Sequence, residues 1–256
     1  MRRHGLLLAV LALGGTGCTE HVSPPIIRPD DDPSSTWQDL IAQTSSEAGV
    51  DYATIAAQRP VLDWYLGWVA YHGPLEDDMK ENSEDRRLAF LLNAYDALVV
   101  EGVLRANGAG LDRHFWDDTA FRVDGDWITP ERFAEERLVA RFQEPLLRLA
   151  LFRADRGGPV LGWWDEDKLS DELSDNARAF LASDRGMRPQ GSGWAASALV
   201  VDHADDILDW GEADTLCAWL ARYTTGPRQA WLLTHQENCP LGVFPVDPAS
   251  DALPAR

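Results

Sequence analysis

Residues Ser83–Leu104 read SEDRRLAFLLNAYDALVVEGVL, and this stretch decides the fold. From Leu88 onward almost every side chain is apolar, so apolar groups surround the whole helix instead of forming one stripe. Ser83 suits the N-cap position, the two acidic residues after it suit the positive end of the helix dipole, and Gly108 suits the end. The stretch therefore predicts a central helix that is buried on all sides.

Asn93, Tyr95 and Asp96 form a polar cluster inside this apolar helix. Asn93 and Asp96 are three residues apart and share one face, beside the hydroxyl of Tyr95. Buried polar groups need hydrogen-bond partners, so the cluster binds either protein or ligand. We favour the interpretation that these side chains are structural and that their hydrogen bonds tie the helix to the hairpin that follows it. The alternative is that the cluster forms the floor of a ligand pocket.

The hairpin is predicted at Phe121–Ile128, where apolar and polar residues alternate around Asp124-Gly125. Short strands are expected at Ala198–Val201 and Gln229–Thr234. Apolar spacing and capping residues predict further helices over Thr36–Ala48, Pro60–Ala70, Thr129–Phe142, Glu144–Ala154, Asp165–Ser183, Asp206–Trp210 and Ala213–Tyr223. The predicted class is α+β, a helix-dominated single domain around the buried central helix, with a small antiparallel sheet or hairpin.

The composition excludes some partners. The chain has 256 residues with 42 Asp+Glu against 23 Lys+Arg, a formal net charge of -19. Such a chain repels nucleic acid and does not adhere electrostatically to anionic lipid. Its eleven tryptophans indicate either aromatic core packing, which we favour, or an aromatic-lined groove.

The N-terminus predicts the cellular location. A basic start, Met1–His4, precedes an apolar run, Gly5–Leu13, which has signal-peptide length and is too short to span a bilayer. Gly15–Cys18 then resembles the lipobox of bacterial lipoproteins, in which the cysteine is acylated. We predict a signal peptide over residues 1–17 and lipidation at Cys18; the alternative is an ordinary secretory signal. Thr19 replaces the aspartate of an inner-membrane retention signal, which favours the outer membrane.

A tether is predicted over residues 18–35, followed by one globular domain over residues 36–256. The tether is rich in Pro and Asp and lacks periodicity. The expected partners are the membrane, through the lipid, and an unidentified envelope protein or ligand. Cys217 and Cys239 remain after lipidation of Cys18, and they form either a disulfide or two buried free thiols.

The order of these elements resembles the family catalogued as domain of unknown function 547. The similarity is most specific in Leu88–Val100, where the family reads Ala-Phe-Trp-Ile-Asn-x-Tyr-Asn-Ala-Leu and this chain keeps Asn93 and Tyr95 but has Asp96 for the second Asn. A further block, Leu173–Asp184, is similar as well. The resemblance extends over roughly residues 50 to 240 and implies the helix-dominated domain predicted above.

The departures from the family bear on chemistry. The family's Ile-Glu-His corresponds to Phe133–Glu135 in this chain. The family also has a Cys-Pro pair, and this chain has Gly158 in place of that cysteine. Within the family's Pro-Arg-Ile-His-Phe-Ala-Leu-Asn-Cys, this chain has Arg148 for His, Phe152 for Asn and Arg153 for Cys. An arginine supplies neither the sulfur nor the base that a thiol nucleophile needs. The resemblance therefore implies a copy that has lost such chemistry, so the chain is more consistent with a non-enzyme.

The other polar motifs have structural readings. His203–Asp206 is interpreted as a solvated helix start, Gln190–Gly193 as a loop and Asp30–Asp32 as tether. His235–Pro240 combines His, Asn and Cys, but a disulfide or core cysteine is favoured there. No metal-ligand spacing is present, and we predict no metal, no cofactor and no assigned catalytic residue.

Three functions remain open. The favoured one is a non-catalytic envelope lipoprotein that binds a partner or ligand. The second is an envelope hydrolase or transferase, thiol-dependent through Cys239. The third is a small-molecule binding module with an acidic, Trp-lined groove.

Overall fold

The computed structural model describes residues 19–25, 32–73, 84–108 and 110–253. The helices are α1 (Ser34–Thr44), α2 (Tyr52–Ala57), α3 (Arg59–Val69), α4 (Glu84–Arg105), α5 (Arg113–Asp118), α6 (Pro130–Arg132), α7 (Ala140–Phe142), α8 (Leu147–Ala150), α9 (Leu169–Ala182), α10 (Ala198–Val201), α11 (Ala204–Trp210), α12 (Leu216–Leu220) and α13 (Gly226–Thr234). A π-helical segment, Phe133–Val139, joins α6 to α7. The strands are β1 (Glu20–Val22), β2 (Ser45–Ser46), β3 (Gly49–Val50), β4 (Thr119–Val123), β5 (Asp126–Ile128), β6 (Met187–Gln190), β7 (Gly193–Ser197) and β8 (Gly242–Phe244).

Helix α4 is the predicted central helix. Its side chains are buried on every face from Leu88 to Val103, with Phe90 half-buried. Helices α2, α3 and α9 and the π-helical segment pack around it. Gly108 follows the end with a φ of 77°, and its N–H donates to Val103 O at 2.9 Å. The predicted N-cap, Ser83, lies outside the described residues.

The predicted hairpin is formed by β4 and β5. Phe121 pairs with Ile128, and the turn residues Asp124 and Gly125 have φ values of 52° and 81°, as a type I′ turn requires. Strand β1 adds to β4 in parallel, with His21 opposite Ala120. Part of the predicted tether is therefore a strand of this sheet. The helix-dominated α+β class is confirmed.

Two predicted strands are helices. Ala198–Val201 is α10, because the strand ends one residue earlier, at Ser197, whose hydroxyl accepts a hydrogen bond from Leu199 N–H at 3.3 Å and caps a helix. Gln229–Thr234 lies within α13, which begins at Gly226-Pro227, and proline suits the first turn of a helix. In both places the start signal determines the structure and the β-branched or apolar run does not.

Most predicted helices are present, with bounds that differ from the predicted ones; α11, for example, begins two residues earlier, at Ala204. Helix α1 buries the predicted stripe of Trp37, Leu40, Ile41 and Thr44. In Glu144–Ala154 only Leu147–Ala150 is helical. Within the described residues, no helix is long and apolar enough to cross a membrane.

Candidate functional site

Asn93 holds the extended chain that follows α8. Its Nδ2 donates to Trp164 O at 2.9 Å, and Trp164 N–H donates to its Oδ1 at 2.9 Å. The Asn93 side-chain amide thus satisfies the backbone N–H and C=O of Trp164, as a neighbouring strand would do in a sheet. Asn93 is only 3% exposed, so both bonds are made away from water.

Asp96 holds the same tryptophan by its ring. The indole Nε1–H of Trp164 donates to Asp96 Oδ2 at 3.3 Å, and the carboxyl group is 1% exposed. Burial raises the pKa of Asp96 well above its usual range, and the bonds from Trp164 and from the Phe152 backbone only oppose that rise. Both partners lie after α7, not in the β4–β5 hairpin. The predicted tie to the hairpin was therefore wrong.

Tyr95 is fully buried, and its ring packs edge-on against Phe133, with centroids 6.0 Å apart. The hydroxyl forms no hydrogen bond with any described residue. Burial raises the pKa of Tyr95, while the nearby positive charge of Arg153 opposes the rise. The three predicted residues therefore share a helix but not one role.

A cavity of about 300 Å³ lies against Asn93, and we call it the aromatic cavity. Tyr65 and Trp68 have ring centroids 6.2 Å apart, Tyr65 and Trp163 6.2 Å, and Trp68 and Phe90 5.5 Å. The lining residues are Asp32, Ser34, Tyr65, Trp68, Arg86, Ala89, Phe90, Asn93, Trp163, Trp164, Asp165 and Glu166. Asn93 thus lines a cavity and is also bonded to protein, whereas Tyr95 and Asp96 are not part of the lining.

Two further cavities lie along residues 155–166, and neighbouring cavities share lining residues. A cavity of about 410 Å³ shares Trp163 and Asp165 with the aromatic cavity and has Ile41, Leu161 and Phe180 in its walls. A third, of about 200 Å³, shares Val160 and Arg185 with the second. We call the three together the 155–166 groove. Only the excess of tryptophan in the sequence indicated such a groove.

The far end of the groove contains two carboxyl groups that sequence analysis missed. Tyr52 Oη–H donates to Asp251 Oδ1 at 2.8 Å. Burial, together with the negative charge of Asp155, raises the pKa of Asp251 to about 6, and the bond from Tyr52 opposes the rise. Burial also raises the pKa of Asp155. These residues come from three distant parts of the chain, and no local pattern joins them.

Glu135 and Arg148, which the resemblance places opposite histidines of the family, meet in one charged cluster. Arg148 donates to both carboxylate oxygens of Glu135, through Nη1 and, at 3.0 Å, through Nη2. Its Nε and Nη2 also donate to Asp206 Oδ2 at 3.2 and 2.8 Å. The Arg148 side chain is 10% exposed. An ion pair therefore joins the two positions that the resemblance places opposite histidines.

Arg153 and Gly158, which the resemblance places opposite cysteines of the family, carry different groups. The Arg153 guanidinium lies over the ring of Trp116 at 4.1 Å and contacts Glu131 Oε2 at 3.5 Å. At Gly158 a Cβ atom would lie 2.6 Å from Asp155 Oδ1, so the carboxyl group occupies the space of a side chain. Phe152 is fully buried.

The His203–Asp206 motif begins α11, as predicted. Burial lowers the pKa of His203, and the positive charge of Arg148 lowers it further. Gln190–Gly193, predicted to be a loop, forms the tight turn between β6 and β7. Within the described part of the chain, no three His, Cys, Asp or Glu side chains are arranged to hold a metal ion.

Cys217 and Cys239 are joined by a disulfide, with Cα atoms 5.3 Å apart. His235 stacks on Trp231, with ring centroids 4.3 Å apart. His235 Nδ1 lies 2.8 Å from Trp231 O. Cys18 and the signal peptide lie outside the described residues, as do Asp30 and Asp31.

Comparison with known proteins supports the family resemblance over part of the chain. Residues 79–181 match the family model described as "Protein of unknown function, DUF547". The matched stretch includes α4, the β4–β5 hairpin, the π-helical segment and α9, and it is shorter at both ends than the predicted extent. No curated protein and no solved structure gives a significant match.

Proposed function

We propose that this chain is a non-catalytic protein that binds a small molecule in the 155–166 groove and is lipid-anchored through Cys18 in a bacterial cell envelope, at the outer membrane. The observation that carries the proposal is the open groove; separately, the carboxylates of the charged cluster are already engaged by Arg148. Small-molecule sites are mostly apolar clefts with a few convergent polar groups. The groove has that character, with Trp163, Leu161 and Phe180 beside Asp165 and Arg185.

The charged cluster supports a non-catalytic role. Arg148 satisfies Glu135 and Asp206 at once, so these carboxylates are committed to an ion pair. A guanidinium stays protonated in proteins and serves as neither base nor nucleophile. Assays that detect turnover by close relatives should therefore give only background here.

The disulfide argues against the thiol-dependent alternative. Thiolate is the nucleophilic form of cysteine, and Cys239 is bonded to Cys217. A thiol reagent should label neither residue in the unreduced protein. Labelling of Cys239 without reductant would instead support the hypothesis of a thiol-dependent hydrolase or transferase.

The lipid anchor is tested by growing cells with a labelled fatty-acid analogue. The wild type should carry the label, and Cys18→Ala should lose it completely. Equal labelling of the two proteins would remove the anchor from the proposal.

Binding in the groove is tested by blocking it. Nothing lies within 4 Å of a Cβ atom built at Gly162, so Gly162→Trp fills the middle of the groove without displacing the core. The matched control is Leu233→Trp on the exposed face of α13. Ligand-observed NMR with a panel of neutral and charged fragments should give hits that Gly162→Trp loses and Leu233→Trp keeps. Hits that survive in both variants, or no hits at all, would contradict the proposal.

A further inference from the structure

We propose that the aromatic cavity binds a free small organic cation through an alkylated ammonium group. This inference rests on the proposed function, because it names the class of ligand for one end of the 155–166 groove. It follows from the walls of the cavity, the charges at its rim and the state of its one amide.

The walls are aromatic and belong to three separate elements. Tyr65 and Trp68 come from α3, Phe90 comes from α4, and Trp163 comes from the chain before α9. Tyr65 is 1% exposed and stacks on Trp37 and Trp68, and Trp68 also stacks on His72. The half-buried rings of Phe90 and Trp163 are therefore the ones that a ligand in the cavity would meet. Electron-rich ring faces around a small volume attract alkylated ammonium ions.

The rim is negatively charged. Asp32, Asp165 and Glu166 line the cavity with one cation, Arg86, whose Nε lies 2.9 Å from Glu166 Oε2. The hydrogen bond from Lys168 lowers the pKa of Asp165, so this carboxylate is charged at neutral pH. The charge of Asp32 reaches the cavity wall, since it contributes to the raised pKa of Tyr65. Among the described residues, Lys168 pairs with Asp165 and Arg86 pairs with Glu166, so the remaining negative charge of the rim comes from Asp32. A net negative rim favours a cation and repels an anion.

The amide of the lining is not available to a neutral polar ligand. Asn93 uses Nδ2 and Oδ1 for the backbone of Trp164. A neutral ligand such as a sugar is held by convergent donors and acceptors, whereas an alkylated ammonium has no N–H to satisfy and needs only ring faces and counter-charge. The cavity offers aromatic rings and negative charge, which suit the alkylated ammonium.

The test compares choline with 3,3-dimethyl-1-butanol, which has the same shape with carbon in place of the charged nitrogen. Isothermal titration uses the full chain in a non-ionic maltoside detergent, which itself carries no ammonium group. Choline should bind, and the neutral isostere should bind at least about tenfold more weakly, since the cation–π attraction is absent.

Matched variants place the binding in the cavity. Trp163→Leu should weaken choline roughly tenfold, whereas Trp127→Leu, the same change on the exposed β5 strand, should leave it unchanged. Asp32→Asn keeps an oxygen that can accept the bond from Ser34 N–H, so it tests the charge without loss of the cap. It should weaken choline a few-fold and reduce the salt dependence of binding, and it remains informative if Trp163→Leu does not fold.

Each result has one meaning. Equal binding of choline and its isostere would contradict the proposal that the cavity binds an alkylated ammonium. Equal choline affinity in Trp163→Leu and Trp127→Leu would contradict it as well. The protein could instead sediment with phosphatidylcholine vesicles, but not with phosphatidylglycerol vesicles, and fail to bind free choline. That result would contradict the proposal that the ligand is a free small molecule. If choline fails while neutral fragments still bind in a manner sensitive to Gly162→Trp, this inference fails and the proposed function stands. If no fragment binds, both fail.

Discussion

The chain contains two polar clusters that are satisfied in opposite ways. The Asn93 and Asp96 cluster lies inside the core, and its partners are the backbone and ring of Trp164. The Arg148 cluster lies near the surface, and its partners are carboxylates that are a third to nearly a half exposed. In the first, loss of one group leaves its partners buried without water; in the second, solvent replaces the lost partner. Hydrogen bonds in the two clusters therefore contribute differently to stability.

The largest effect is expected for Asn93→Ala. The change leaves the N–H and C=O of Trp164 buried and unpaired, at a cost of about 3 kcal/mol in the free energy of unfolding. Chemical denaturation measures it, with Asn238→Ala, an exposed asparagine, as the matched control. An unchanged midpoint in Asn93→Ala would mean that water reaches Trp164 and that the two clusters do not differ.

Asp251 gives a pH-dependent version of the comparison. Its pKa of about 6 lies above the usual value of an unfolded aspartate, so the folded state holds the proton more tightly. The contribution of Asp251 to stability is therefore full at low pH and is lost as pH rises from about 4 to about 6, by up to about 2 kcal/mol. Asp251→Asn should remove this loss, because the amide oxygen still accepts the Tyr52 bond.

The measurement is urea denaturation of wild type and Asp251→Asn across that pH interval. The two proteins should have similar stability at the acidic end, and the variant should be the more stable above the transition. Parallel curves over the whole interval would contradict the raised pKa. Asp175→Asn, on the exposed face of α9, serves as the control.

The smallest effect is expected for Arg148→Ala. Glu135 and Asp206 are partly exposed, so water can hydrate them once the arginine is absent. We expect a loss of about 1 kcal/mol, well below the cost of an uncompensated buried charge. Added salt should reduce that difference, because it screens the two carboxylates. A loss as large as that of Asn93→Ala would show that the surface cluster is also held away from water.

Glu101 lies near the end of α4 and is a core residue. Its carboxylate is buried and lies 2.7 Å from Arg59 Nη2. Burial raises the pKa of Glu101, and the bond to Arg59 opposes the rise. A change at Glu101 is therefore a change in the core, and it is not a mild control for Asn93.

Local patterns predicted the elements that depend on local signals. The continuous apolar run of α4 and the Asp124-Gly125 turn each fix their own structure within a few residues. The strand expected at Ala198–Val201 failed because the cap at Ser197 outweighs the β propensity of a four-residue run.

The site was less predictable because its contacts are long-range. Asn93 was identified as a buried polar group, but its partner Trp164 is 71 residues away. Tyr52 and Asp251 are 199 residues apart. Nothing in the spacing of such residues records that they meet, since the fold and not the local sequence brings them together.

Strand β1 limits how far an anchored domain could stand from a bilayer. It begins at Glu20, and Arg105 Nη2 from the end of α4 lies 2.5 Å from the Glu20 carboxylate. If Cys18 carries a lipid, the two-residue segment from Cys18 to Glu20 would span at most about 7 Å. The β1 edge of the sheet and the C-terminal end of α4 would then face the headgroups. Such an anchor would select an orientation for the domain and would give it little reach.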